Sequence, residues 1–150
     1  MSPKFPVSVL VVVHTPALHV LLLERAARPG YWQSVTGSLD RADEPLEDAA
    51  LRELREETAL EVPRMSLQRW NVAYTFEIYA QWRHRFAPGT THNLEHAFSV
   101  EIPQARPVEL AALEHTAYQW LPWRDALARC FSWSNRDAIR ILPRRRASQS

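Results

Sequence analysis

The spacing of apolar and polar positions sets out most of the elements. Val7 to Val13 is a nearly unbroken, Val-rich run, the pattern of a strand buried on both faces. Thr15-Pro16 ends it, and His19 to Glu24 supplies a second strand, so the two are expected to pair as a hairpin. Pro29-Gly30 marks a turn, and Trp32 to Thr36 runs into Gly37. Behind Pro45, whose missing N–H costs nothing in a first helical turn, Leu46, Ala49, Ala50 and Leu54 recur at helical spacing. That face should lie on a sheet, and Pro63 closes the unit. Val72 to Trp82 and His96 to Ile102 predict strands around a long loop carrying Ala87-Pro88-Gly89-Thr90-Thr91. Pro103 to Pro107 is a connection. Tyr118 to Leu121 predicts a short strand, Trp123 to Arg129 a short helix and Trp133 to Leu142 a terminal helix. Residues 144–150 are expected to form a flexible tail. Arg144-Arg145-Arg146 there is a solvated charge run, with phosphate contact as the other reading. Strands with a few interleaved helices imply an α/β fold, a mixed sheet covered on both sides.

Composition narrows the class. A chain of 150 residues suits one domain spanning 1–150. With 46% hydrophobic and 23% charged residues it is of the globular type. A net charge of +1 gives no case for nucleic acid, whose binders present a basic face. One cysteine excludes an internal disulfide, and Cys130 reads as a small buried hydrophobe rather than a nucleophile. The apolar run at Val7 is too short for a bilayer and lacks the marks of a cleaved signal. The expectation is a cytoplasmic protein with a small-molecule partner, no membrane and no obligate protein partner.

The chemistry concentrates in Arg52-Glu53-Leu54-Arg55-Glu56-Glu57, with Glu44 and Gly37 upstream. At about 100° per helical residue, Glu53 and Glu57 lie about 40° apart, and Glu56 about 60° to the other side of Glu53. Three carboxylates crowd one stripe, and like charges so spaced destabilise a helix. One reading is a solvated face with Arg52 and Glu56 as an ordinary i,i+4 pair. The other is a site for a hard cation such as magnesium, which takes oxygen ligands and keeps waters and substrate phosphates in its shell.

The line Gly37, Glu44, Arg52, Glu53, Leu54, Arg55, Glu56, Glu57, Thr58, Ala59, Leu60 resembles the box of the Nudix hydrolases. Two departures stand out. Six residues separate Gly37 from Glu44, one more than the family spacing, which leaves Asp43 or Glu44 for the first acidic position. Ala59 stands where the family has its second glycine. An L-residue there pays about 1–2 kcal/mol for a left-handed conformation, so a different closure of the turn is an alternative. Further stretches are similar to the dihydroneopterin triphosphate pyrophosphohydrolases of bacterial folate synthesis. They are Lys4 to Val12, Tyr31 to Ser38, Phe76 to Tyr79, Arg83 to Gly89, Glu114 to Leu121 and Ser132 to Arg136.

The resemblance implies an α/β/α sandwich with a curved mixed sheet and a magnesium cofactor, with manganese as a substitute. It implies Glu53, Glu57 and Glu114 as metal ligands, and Glu56, Glu114 and Arg52 as catalytic. Glu56 is a further ligand or supports one, Arg52 orients a carboxylate, and Glu114 is a ligand or the base. His115, whose ordinary pKa is near neutrality, ranks second as base. Lys4, Arg25, Thr36, Phe76, Glu77, Ile78, Tyr79 and Ser132 fall at substrate-contacting positions. Phe76 and Tyr79 are open between core packing and stacking on a flat ring. Trp133 and Asn135 are implied as pocket lining. The activity so implied is pyrophosphate release from dihydroneopterin triphosphate. A nucleotide-pool (d)NTP pyrophosphohydrolase and a non-catalytic nucleotide-binding module of the same fold are the alternatives. Loss of box carboxylates would mark the last, and all three on the stripe are present.

Overall fold

The structure, a computed structural model, describes residues 2–147. Its order is β1 (Val7–His14), β2 (His19–Arg25), β3 (Trp32–Gln33), β4 (Val35–Ser38), α1 (Leu46–Thr58), β5 (Leu67–Glu77), β6 (His92–Glu101), β7 (His115–Pro122), α2 (Trp123–Arg129) and α3 (Trp133–Ala147). All seven strands join one mixed sheet. β1 lies at its centre because its run is apolar on both faces. Val9, Val11 and Val13 share a core with Ala49, Ala50 and Leu54 of α1. Leu10 and Val12 share the opposite core with Ala138, Ile139 and Leu142 of α3. The alternation of strand side chains assigns the two layers, giving the expected α/β/α arrangement.

β1 pairs in parallel with β6 along Val7 to His14, and antiparallel with β4 along Ser8 to Val11. It meets β2 only at His14↔Val20, so the expected hairpin closes at its turn and then splays. β2 pairs instead with β3 and β7. The ladder between β2 and β7 shifts register between Glu24 and Arg25, which sets Arg25 opposite His115. Irregularities of this kind commonly re-aim a side chain beside a site.

Several boundaries differ from the sequence reading, among them the start of β7, at His115 rather than Tyr118. The strand expected over Val72 to Trp82 is Leu67–Glu77, and residues Ala80–Arg85 form a 3-10 helix. Its register against β6 shifts between Arg69 and Ala73, where Asn71 takes φ 57°, a conformation Asn tolerates better than most residues. β6 begins at His92 rather than His96. The terminal helix passes Pro143 and continues to Ala147, so 144–147 are helical where a tail was expected. Arg145 donates to the Trp70 carbonyl and lies over the Trp70 ring, and Arg146 Nε reaches Glu101 at 2.9 Å. These partners hold the last turn to the sheet. Residues 148–150 of the expected tail lie outside the described residues. Among the described residues no helix is long and apolar enough to cross a membrane.

Helix α1 ends at Ala59, with φ 62° and its N–H donating to the Arg55 carbonyl at 2.8 Å. The left-handed closure is therefore kept without glycine.

Candidate active site

Arg52 organises the loop ahead of α1. Its Nε donates to Glu44 Oε2 and its Nη2 to Glu44 Oε1, both at 3.0 Å, a bidentate fork. Nη2 also reaches the Ser38 carbonyl at 3.1 Å, and Nη1 reaches Glu53 Oε1 at 2.8 Å. Glu44 Oε1 accepts in addition from the Asp40 N–H at 2.8 Å. Glu44 is 5% exposed, whereas Asp43 is 86% exposed and paired with Arg41, so Glu44 fills the first acidic position. The hydrogen bond to Arg52 holds the Glu44 carboxyl below its usual range, and Glu44 raises the Arg52 guanidinium in turn.

The stripe divides. Glu56 is 54% exposed and touches Arg52 Nη1 at 3.4 Å. Glu53 and Glu57 fall on the buried face with Ala50 and Leu54 and point at the sheet. Gly37 makes room for Glu53. A Cβ at Gly37 would stand 2.0 Å from the Glu53 carboxyl carbon, so any side chain there would push the Glu53 carboxylate out of its present position. Glu57 is 1% exposed, and neither of its oxygens has a hydrogen-bond partner. Burial first, then Glu53 and Glu114, pushes its carboxyl well above the ordinary range; Glu53 is raised by burial as well.

The start of β7 approaches from the opposite wall. The Glu114 carbonyl accepts from the Ala26 N–H at 2.8 Å, and the Glu114 and His115 N–H groups donate to Ala111 O at 2.8 and 2.9 Å. This turn brings one ligand atom each of Glu57, Glu114 and His115 within 4.8 Å of one another. His115 Nε2 lies 3.7 Å from Glu57 Oε1 and 3.4 Å from Gln33 Nε2, while its Nδ1 has no partner. Burial, helped by Arg25, lowers its pKa to about 4, so the ring is neutral near pH 7. A buried carboxylate with both oxygens orphaned, set against a second carboxylate and a neutral imidazole, suits a divalent cation.

A cavity of about 980 Å³ opens beside this group, lined by Glu53, Glu114, His115 and all of Lys4, Arg25, Thr36, Phe76, Glu77, Ile78, Tyr79 and Ser132. Arg52, Glu56 and Glu57 are not in its wall. Lys4 and Arg25 are both lowered in pKa, chiefly by burial and next by Arg85. Three cations thus share one side, an arrangement that favours an anion between them. Arg25 Nη1 donates to Gln33 Oε1 at 3.2 Å, its carbon lies 4.7 Å from the Trp82 ring centre, and its Nε is buried without a partner. Thr36 donates to the Val9 carbonyl at 2.9 Å, and Glu77 is held by Arg83 at 2.8 Å. Tyr79 meets Trp82 and Phe131 edge-on or tilted, with ring centres 5.2 and 6.3 Å away. The Ser132 hydroxyl accepts from the Asn135 N–H at 3.2 Å and so caps α3.

Sequence reasoning did not single out Gln33, Trp82, Arg85, Asn93 or Glu95, all of which line the cavity. Arg85 and Trp82 stand in the segment read partly as strand, and Asn93 and Glu95 in the segment read as loop. No spacing signal marks them. Cys130 lies outside the cavity, and burial pushes its thiol up to about 12, the inert state expected of it.

The family model for the NUDIX domain matches residues 4–142. The chain is 42% identical over 139 residues to dihydroneopterin triphosphate diphosphatase of Escherichia coli K12, covering 91% of each chain. It is 36% identical over 143 residues to the enzyme of the same name from Haemophilus influenzae, covering 93% of this chain and 89% of that one. Among solved structures, that of the E. coli dihydroneopterin triphosphate pyrophosphohydrolase superposes with a TM-score of 0.88 at 40% identity, over 95% of this chain and 97% of that one. The chain belongs to the NUDIX family and is a hydrolase of it.

Proposed function

We propose that this hydrolase releases pyrophosphate from dihydroneopterin triphosphate, leaving dihydroneopterin monophosphate, and that it does so with magnesium, for which manganese substitutes. The observation that carries the reading is the two signs of charge in the cavity. Glu57 is close enough to Glu53 and Glu114 to be raised by both, and Lys4, Arg25 and Arg85 line the same cavity within electrostatic reach of these carboxylates and of one another. A polyphosphate with a divalent cation complements both. Similarity to the E. coli and H. influenzae diphosphatases supports the pterin as the group attached.

Glu53, Glu57 and Glu114 would hold the cation, with the neutral His115 beside them. Bound there, it would neutralise phosphate charge and, as a Lewis acid on phosphoryl oxygen, make the phosphorus more open to attack. The rest falls to the chain. Lys4 and Arg25 hold the outer phosphates, so that the charge of the departing pyrophosphate develops against fixed cations. Water adds to the phosphorus next to the pterin side chain, the adjoining anhydride bond breaks, and pyrophosphate leaves with the bonding electrons. Glu114, the exposed member of its group, accepts the proton of that water. Arg52 fixes Glu53 from behind, and Glu56 steadies Arg52 from the solvent side. Thr36, Ser132 and the segment Phe76, Glu77, Ile78 and Tyr79 bound the ring and its side chain.

The test is magnesium-dependent pyrophosphate release from pterin and nucleoside triphosphates, compared by kcat/KM. Dihydroneopterin triphosphate should exceed every common dNTP. A tenfold preference for a dNTP would replace this reading with a nucleotide-pool enzyme, and binding without turnover would replace it with a sensor module.

A further inference from the structure

Arg25 and Arg52 are held in different ways. Arg52 spends its fork on carboxylates, with Nε and Nη2 donating to Glu44 and Nη1 to Glu53. Arg25 donates from Nη1 to the Gln33 amide oxygen at 3.2 Å, and its Nε is buried without a partner. What holds it is a ring face, since its guanidinium carbon lies 4.7 Å from the centre of the Trp82 ring. The N–H groups of a guanidinium point outward in its own plane. A carboxylate consumes them, whereas an indole engages the flat face and leaves them free for a ligand.

Trp82 is itself fixed. It stands in the 3-10 helix Ala80–Arg85 and lines the cavity, and its N–H donates to the Tyr79 carbonyl at 2.9 Å. The neighbouring Arg83 pins the segment, with Nε on the Ile78 carbonyl at 3.0 Å and Nη2 on Glu77 at 2.8 Å. At the end of this helix the Arg85 carbonyl accepts from the Lys4 N–H at 2.8 Å. The indole meets Tyr79 and Phe131 edge-on, with ring centres 5.2 and 6.0 Å away, and Tyr31 backs Phe131 at 4.8 Å. Edge-to-face rings prefer this geometry, so the cluster sets the direction of the indole face. Arg25 needs such a hold. Arg85 and Arg28 repel it, while Glu57 and Glu114 attract it. A guanidinium free to move would turn toward those carboxylates and spend its donors there.

We propose that Trp82 is a positioning residue for the phosphate end of the cavity: its indole face keeps the Arg25 guanidinium off Glu57 and Glu114 and presents the unspent N–H groups to the polyphosphate. The inference deepens the proposed function and rests on it only in taking Arg25 to hold phosphate. Trp82 acts through Arg25 and touches no reacting atom, so its substitution is felt only while Arg25 is present.

The experiment is a double-mutant cycle read by equilibrium binding of inorganic tripolyphosphate with magnesium present. Wild type, Trp82→Leu, Trp82→Phe, Arg25→Ala and the Arg25→Ala/Trp82→Leu double variant are compared, each with its Tm. Loss of one desolvated cation–π contact corresponds to about tenfold in affinity, the weakening expected of Trp82→Leu. Trp82→Phe keeps a ring face and should stay within about threefold of wild type. Arg25→Ala should weaken binding at least as much as Trp82→Leu. In the Arg25→Ala background, Trp82→Leu should change affinity by no more than about twofold, the non-additivity of two residues acting as one unit. Wild-type affinity in Trp82→Leu would overturn the proposal. So would a tenfold loss that persists without Arg25, which would make Trp82 wall packing alone, or a wild type that does not bind tripolyphosphate. If Trp82→Leu does not fold, Trp82→Met, equally without a ring face, takes its place in the cycle. Failure of the proposed function has a different signature, the absence of pyrophosphate release from dihydroneopterin triphosphate, and it leaves the tripolyphosphate cycle to be read as it stands.

Discussion

Glu44 and Glu57 are both buried carboxylates of the box, and their surroundings are opposite. Around Glu44 every acceptor is filled, by two Arg52 nitrogens and the Asp40 N–H. Around Glu57 neither oxygen has a hydrogen bond of full geometry, only the approach of the Thr36 backbone, and the neighbours Glu53 and Glu114 have the same sign. A folded chain rarely leaves a buried polar group unpaired, because each costs about 1–3 kcal/mol and more if charged. The clamp around Arg52 is therefore scaffold, complete without a ligand. The region around Glu57 is stability forgone in favour of something that binds. Glu95 falls between them, with one oxygen engaged.

The comparison is tested first where removal should cost most. Arg52→Ala strands Glu44 buried without its partner, and breaking such a pair typically costs about 3–5 kcal/mol. Thermal unfolding should show this as a large fall in Tm, with loss of activity following from the freed Glu53. A variant of near wild-type Tm would mean that water replaces Arg52 and that the clamp is not scaffold.

Glu57→Gln should do the reverse. It relieves like-charge crowding, so the Tm measured in chelator should stay level or rise. Its kcat/KM should drop by at least about 10²-fold, the scale of one strong transition-state interaction. Added magnesium should raise the wild-type Tm by binding the folded state, and should raise that of the variant far less. Wild-type turnover in Glu57→Gln would return the stripe to the solvated face that the sequence also allows.

A smaller effect separates the regions by pH. The folded pKa of Glu44 is lowered, so its stabilisation is present above about 4.5 and is lost as pH falls. Glu95 is raised to about 7 and Glu57 is raised too. There the folded protein holds protons that the unfolded chain has released, so stability falls as pH rises from about 4.5 through 7. The lowered His115 acts oppositely, but only below about 6.5. The chelated protein should therefore lose Tm as pH rises toward 7, most cleanly above about 6.5 where His115 no longer opposes it, and Glu95→Gln should flatten that limb while leaving the Glu44 acid limb in place. An unchanged slope would place the Glu95 carboxyl in contact with water or a cation.

The two regions were also unequally legible. Arg52, Glu53 and Glu57 were visible in the sequence because a helix converts spacing into facing, and the resemblance supplied Glu114 across the chain. What spacing does not show is burial. Glu56 shares the stripe but ends exposed, since the α1 face toward the sheet is centred on Ala50 and Leu54. The part of the cavity wall formed by Asn93 and Glu95 was hidden by a boundary. His92 to Glu95 carry too little apolar character to extend a strand pattern, yet pairing with both β1 and β5 makes them one. The last turn of α3 was hidden by Pro143, a sound stop signal overridden by the partners of Arg145 and Arg146.

The least effect expected is at the joint between the regions. Ala59 closes α1 two residues after Glu57 and holds φ 62°. An L-residue in that conformation pays about 1–2 kcal/mol, and glycine pays little of it while losing more freedom on folding. Ala59→Gly should thus stabilise by about 1 kcal/mol or slightly less, a Tm rise of a few degrees. Activity tells what the strained cap is for. If packing of Leu54 and the space left by Gly37 alone set the carboxylates, kcat stays at the wild-type value while Tm rises. A fall in kcat with raised Tm would show that the cap at Ala59 holds Glu57 in place, and that the scaffold extends through the end of the helix into the site.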